Sequence, residues 1–138
     1  MKVLIDTGPL VALLDRRDTY HAWAKAQLES VDPPLYTCEA VLTEACFLVS
    51  HLPGGPQAVL DLVHQGLLVV GLSLEEEVVS VKRLLMRYAD QPMALADACM
   101  VRLAELNRGS VLLTCDGDFR IYRIDRRSEI PIIIPSDR

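Results

Sequence analysis

Four carboxylates in this chain stand in company that carboxylates usually avoid. Asp6 closes the apolar run Val3-Leu4-Ile5, and the corner Thr7-Gly8-Pro9 follows it. Asp116 comes three residues after a second such run, Val111-Leu112-Leu113. Glu44 lies inside Ala40-Val41-Leu42-Thr43-Glu44-Ala45-Cys46-Phe47-Leu48, and Asp97 inside Met93-Ala94-Leu95-Ala96-Asp97. On a helix, the face-mates of a residue are three and four positions away. For Glu44 these are Ala40, Val41, Phe47 and Leu48; for Asp97 they are Met93, Ala94, Met100 and Val101. Both acids are expected to point at the core side of their helices, with no Lys or Arg at the spacing that would pair them.

A desolvated carboxylate is costly unless it is paired or bound to something. One solution is an ion pair with a basic residue distant in sequence. The other is a shared divalent cation, which removes the mutual repulsion of several carboxylates in one pocket. Oxygen-only ligands select a hard ion, Mg²⁺ or Mn²⁺, over zinc. Such an ion polarises a phosphate and acidifies a water, which is the chemistry of phosphodiester hydrolysis. Zinc lacks a ligand pattern: Cys38, Cys46, Cys99 and Cys115 form no Cys-x-x-Cys pair, and His21, His51 and His64 are scattered. The cysteines read as free thiols. The run Glu75-Glu76-Glu77 suits a helix N-terminus and needs no further role.

The elements that must position these acids alternate. Strands are expected at Lys2 to Ile5, Leu35 to Thr37, Leu67 to Leu72, Val111 to Leu113 and Pro131 to Ile134. Between them helices are expected at Leu10 to Leu14 with Thr7 or Gly8 near the cap, from Asp18 or Thr19 through Leu28, at about Glu39 to Ser50, at Gln57 to Gln65, from the Ser73 capping box to about Ala89, and at about Met93 to Asn107. Pro33-Pro34, Pro53-Gly54-Gly55-Pro56 and Asp90-Gln91-Pro92 are breaks. Short apolar strands alternating with helices argue for a parallel sheet covered on both faces, an α/β fold. In such sheets ligands bind at the carboxyl ends of the strands, where Asp6 and Asp116 stand.

Composition bounds the rest. The 138 residues suit one domain, 1–138, and a chain 51% hydrophobic and 24% charged is globular. The net charge of −5 is the wrong sign for coating nucleic acid by bulk electrostatics, though an acidic site beside a local basic patch remains compatible with it. No apolar run is long enough to span a bilayer, and the opening Met1-Lys2 segment is interrupted by Asp6; the expectation is a cytoplasmic protein without a membrane.

The sequence resembles the PIN-domain nucleases, in particular the VapC-like toxins of toxin–antitoxin pairs. The resemblance lies in Lys2-Val-Leu-Ile-Asp6-Thr7-Gly8-Pro-Leu, Val41-Leu-Thr-Glu44, Tyr88-Ala-Asp90-Gln-Pro-Met93 with Leu95-Ala-Asp97-Ala98, and Leu113-Thr114-Cys-Asp116-Gly-Asp118-Phe119, four pieces in the right order over nearly the whole chain. It implies a PIN-like three-layer α/β/α fold with a central, mostly parallel sheet of four to five short strands. It implies further that Asp6, Glu44, Asp97 and Asp116 are the catalytic, metal-binding quartet, that Asp118 assists at the metal, and that Thr7 and Thr114 stand beside the ligands. The cofactor is Mg²⁺ or Mn²⁺, and the activity an endoribonuclease. The implied partners are an RNA substrate, a cognate antitoxin that blocks the acidic pocket, and a second copy in a homodimer. One departure is Ala94, where relatives often carry an Asp. Asp90 matches a commonly acidic position and reads equally as a loop acid.

RNA needs cations near the acids, and Arg16, Arg17, Arg120, Arg123, Arg126 and Arg127 are the candidates, with a solvated surface as the alternative. Leu48 and Leu60 lie on helices with more apolar residues than one small core requires. Trp23 and Tyr20 suit either core or interface. Two rival functions stand beside the nuclease: a catalytically silent RNA- or antitoxin-binding regulator, and an aspartic protease built on Asp6-Thr7-Gly8, whose family is almost wholly β.

Overall fold

The computed structural model describes residues 1–138. A five-stranded sheet runs in the order β3-β2-β1-β4-β7, and every pairing is parallel. The strands are β1 (Val3–Ile5), β2 (Leu35–Thr37), β3 (Leu68–Val70), β4 (Val111–Leu113) and β7 (Ile132–Ile133). The helices are α1 (Thr7–Leu14), α2 (His21–Ser30), α3 (Glu39–Leu48), α4 (Gly55–His64), α5 (Leu74–Arg87) and α6 (Leu95–Leu106). A short antiparallel hairpin, β5 (Arg123–Ile124) and β6 (Ser128–Glu129), which the sequence pattern does not announce, stands apart from the sheet.

The chain steps outward from β1 to β2 to β3, then returns across the sheet to place β4 on the other side of β1. That reversal makes a crevice at the carboxyl ends of β1 and β4. The two strands are in register over their full length, Val3 with Val111, Leu4 with Leu112 and Ile5 with Leu113. The apolar strands are buried on both faces: Leu4, Ile5, Leu112 and Leu113 are wholly enclosed, along with Leu10, Val41, Met100, Leu103, Phe119 and Tyr122. This is why the strands read as continuous apolar runs rather than as alternating ones.

Several boundaries differ from expectation, each for a local reason. α1 begins at Thr7, so Asp6 itself occupies the cap position, in extended backbone, and Thr7 and Gly8 are helical. α6 begins at Leu95 rather than Met93, because Ala94 holds the extended cap conformation. The Ser73 cap is present, its Oγ accepting from the Glu76 amide at 3.3 Å. Gly8 is required by a close approach: a Cβ there would lie 2.9 Å from Cys115 Cβ. α1 can therefore press against the segment leaving β4 only through a glycine.

Candidate active site

Asp6 is carried out of β1 with its amide bonded to Leu113 O at 3.0 Å, so its backbone belongs to the β1–β4 ladder. Its side chain is buried, and Thr114 Oγ1, just past β4, donates to Asp6 Oδ2 at 2.9 Å. The Thr114 hydroxyl also accepts from the Asp116 amide at 3.0 Å, tying the two aspartates through one residue. Asp116 Oδ1 in turn accepts from the Asp118 amide at 2.9 Å as the chain enters a 3-10 turn, Gly117–Arg120. From α3, Glu44 Oε1 accepts from Thr7 Oγ1 at 2.8 Å. From the first turn of α6, Asp97 Oδ2 reaches back to the Ala94 amide at 2.8 Å.

Asp6, Glu44, Asp97 and Asp116 line one cavity of about 790 Å³, together with Thr7, Gly8, Ala94, Gly117 and others. Each quartet acid has one oxygen fixed by a local donor. None forms an ion pair with a Lys or Arg; the basic residues that do pair are His51 with Asp15, Arg102 with Glu77 and Glu105, and Arg108 with Asp125. Burial pushes the Asp6 carboxyl up to about 7, against the pull of the Thr7 amide and the Thr114 hydroxyl, with the Asp97 and Asp116 charges adding to the rise. Burial also pushes Asp97 up to about 6, opposed by the Ala94 amide and reinforced by Asp116, Glu44 and Asp118. Negative charge is thus concentrated, and none of the four acids is ion-paired. The side chains do not close into a ready-made cluster of three metal ligands. The donor set is nevertheless all oxygen, the chemistry that suits a hard divalent cation.

Other expectations need correcting. Glu44 does not face the core: it is exposed, and so are its face-mates Phe47 (76%) and Leu48 (48%). Those two apolar residues form part of the cavity rim instead. Asp97 is half-buried and packs within the first turn of α6, so Met93 and Ala94 are not its helical face-mates. The Thr7 and Thr114 hydroxyls, expected beside the acids, each donate to one of them. Asp118 does not line the cavity and contributes its backbone amide to Asp116. Asp90 lies exposed in the turn after α5.

The arginines divide. Arg16 and Arg17 line a separate depression with Leu52, Pro53 and Gly54, away from the carboxylates. Arg123 is committed to structure, its Nη1 donating to the carbonyls of Arg120, Ile121 and Tyr122 at 2.6–3.2 Å. Arg120 lies beside Gly117, a cavity residue, and donates to Arg138 O at 2.7 Å. Arg127 is exposed at the β5–β6 turn. Arg138 was missed by sequence reasoning. It lines the cavity and stacks over the Tyr20 ring at 5.4 Å, and nothing local in the sequence marks it. Cys115 also lines the cavity; burial first, then Asp18 and Asp6, push its thiol up to about 11, away from reactivity.

Residues 3–125 match the family profile of the PIN domain. The chain belongs to the PIN-domain family. It is 29% identical over 116 residues to ribonuclease VapC26 of Mycobacterium tuberculosis, a match covering 83% of this chain and 86% of the relative. The crystal structure of VapC20 from Mycobacterium tuberculosis, a toxin that cleaves the sarcin-ricin loop, superposes with a TM-score of 0.65 at 22% identity, over 85% of this chain and 92% of that one. VapBC2 from Rickettsia felis, solved with a DNA fragment from its promoter, gives a TM-score of 0.62 at 15% identity, over 99% and 100%. The PIN-domain chain is thus a homologue of VapC ribonuclease toxins, and the all-parallel sheet removes the aspartic-protease reading of Asp6-Thr7-Gly8.

Proposed function

We propose that this PIN-domain protein is a Mg²⁺- or Mn²⁺-dependent endoribonuclease and the toxin of a toxin–antitoxin pair. One observation carries the reading: four carboxylates from four separate segments line one cavity, one of them is buried, and no cationic side chain neutralises any of them. Asp6, Glu44, Asp97 and Asp116 would hold the ion, with Asp118 fixing Asp116 through its amide. When bound, the ion supplies Lewis-acid polarisation of the phosphate and a nucleophile at neutral pH.

The remaining work falls to the chain. The Thr114 hydroxyl holds Asp6 and the Thr7 hydroxyl holds Glu44, so both carboxylates keep their orientation without rotamer search. Arg138 at the cavity wall, with Arg120 behind Gly117, supplies positive charge for an approaching phosphate. Phe47 and Leu48, exposed beside Glu44, and Leu60 on α4 offer apolar surface for an antitoxin segment or a second copy of the chain.

RNA cleavage tests the reading directly. Wild-type protein is expected to cut RNA with Mg²⁺ or Mn²⁺ and to stop in EDTA, and a folded Asp6→Asn protein to be inactive. Full activity in EDTA, or in that variant, overturns the metal-dependent mechanism. Metal titration by calorimetry separates the enzyme from a silent regulator on the same fold, which would take up no ion.

A further inference from the structure

The molecule carries a second charged recess, of opposite sign. Arg83 and Arg87 lie four residues apart on one face of α5, and Arg126 sits at the β5–β6 turn with φ of 68°. With Met86 and Tyr88 they line a hollow of about 570 Å³. None of the three guanidinium groups has an ion-pair partner. The acids on the adjoining wall, Glu105 and Asp125, are already engaged. Glu105 takes Arg102 and the Asp125 amide, and Asp125 pairs with Arg108. Nε and Nη1 of Arg87 are shut off from solvent and have no acceptor. An enclosed donor without a partner costs about 1–3 kcal/mol, and more when charged. An anion in the hollow would relieve the repulsion among the three cations.

The recess is joined to the carboxylate loop through the core. Phe119, in the turn that follows Asp116, packs edge-on against Tyr122 with ring centroids 5.4 Å apart. Tyr122 packs against Tyr88 at 5.0 Å, and the Arg87 guanidinium lies 6.0 Å from the Tyr88 ring centre. The Tyr88 hydroxyl accepts from the Arg123 amide at 3.0 Å, which fixes that ring. A buried aromatic stack therefore links the loop carrying Asp116 to the end of α5 that carries Arg87. We propose that Arg83, Arg87 and Arg126 form a phosphate-binding recess that holds the backbone of the RNA strand beyond the bond being cleaved. This rests on the ribonuclease reading above. It accounts for nucleic-acid binding by a protein of net charge −5, because the cations are gathered in one hollow instead of spread over the surface.

The test is fluorescence anisotropy of a labelled single-stranded oligoribonucleotide in EDTA, where cleavage is not expected, across a salt series. The variants are the double substitution Arg83→Ala with Arg126→Ala, both exposed positions, and Arg87→Lys. Circular dichroism and thermal unfolding confirm that each is folded. The double variant is expected to bind roughly tenfold more weakly. Its salt slope should be shallower by about 1.4, from two lost phosphate contacts at about 0.7 each. Arg87→Lys keeps the charge but loses the planar fork and should fall between the two. Wild-type binding with no change of affinity or slope in the double variant overturns the recess and leaves the nuclease reading standing. Failure of the wild type to bind RNA at all overturns both. Tight capture of a poly-glutamate peptide that the RNA does not displace overturns the recess in favour of an acidic protein partner.

Discussion

The carboxylate cavity and the arginine recess differ in how their charges are held. In the cavity every quartet acid has a neutral local donor, a threonine hydroxyl or a backbone amide, fixing one oxygen. In the recess the guanidinium groups of Arg83, Arg87 and Arg126 have no acceptor of any kind, and two of the Arg87 nitrogens are enclosed. The cavity's carboxylates are each held by a neutral donor but have no ion-pair partner; the recess's guanidinium groups have neither acceptor nor countercharge. A set of oriented acids suits chemistry at one point, and cations without fixed acceptors suit a backbone that must be gripped at any sequence.

Neutralising one charge on each side breaks this comparison most sharply. Asp116→Asn should lower RNA cleavage by about 10²–10³-fold while leaving RNA affinity nearly unchanged, measured by single-turnover cleavage and anisotropy. A parallel loss of affinity would show that the cavity also grips.

The next effect is on stability. The Asp6 carboxyl titrates at about 7 in the folded protein against 3.8 for the free group, so between those values the folded state holds a proton that the unfolded state releases. Stability is therefore full below about pH 4 and falls as pH rises to about 7, by on the order of a few kcal/mol. Asp97 acts in the same direction up to about 6. In EDTA, the Tm difference between wild type and Asp6→Asn should grow in favour of the variant from about pH 5 to about pH 8, and Mg²⁺ should reverse it. Identical Tm curves would mean that burial does not strain Asp6.

Smaller effects follow from the orienting hydroxyls. Thr114→Val removes the only side-chain donor to Asp6 and should cost about tenfold in cleavage, with Mg²⁺ affinity weakened to match. The least effect is expected for Arg16→Ala with Arg17→Ala, since that pair lines a different depression; cleavage and RNA affinity should stay within about twofold of wild type. A large loss there would shift the RNA path across α1.

Much of this was legible in the sequence, for uneven reasons. Asp6 and Asp116 were readable because apolar runs mark buried parallel strands, and strand ends mark the ligand edge. Glu44 was found by an argument that the structure corrects: its apolar neighbours Phe47 and Leu48 are exposed rim, not core. Helical periodicity reveals which residues share a face and is silent on whether that face is covered. Arg16 and Arg17 follow the helix that starts at the site, yet α1 carries them away from it. Arg83 and Arg87 had a readable signal, two cations at helical spacing, but their partner Arg126 is joined to them only by tertiary packing.

The in-register pairing of β1 with β4 has a consequence for synthesis. Thr114 reaches back over 108 residues to hold Asp6, and both Asp116 and the Asp118 amide that fixes it come later still. Contacts of such separation close late in folding. A ribosome translating this message has Asp6, Glu44 and Asp97 emerge well before the strand that completes their enclosure. The carboxylate cavity is therefore assembled only once β4 and the residues just after it have been translated and have docked beside β1.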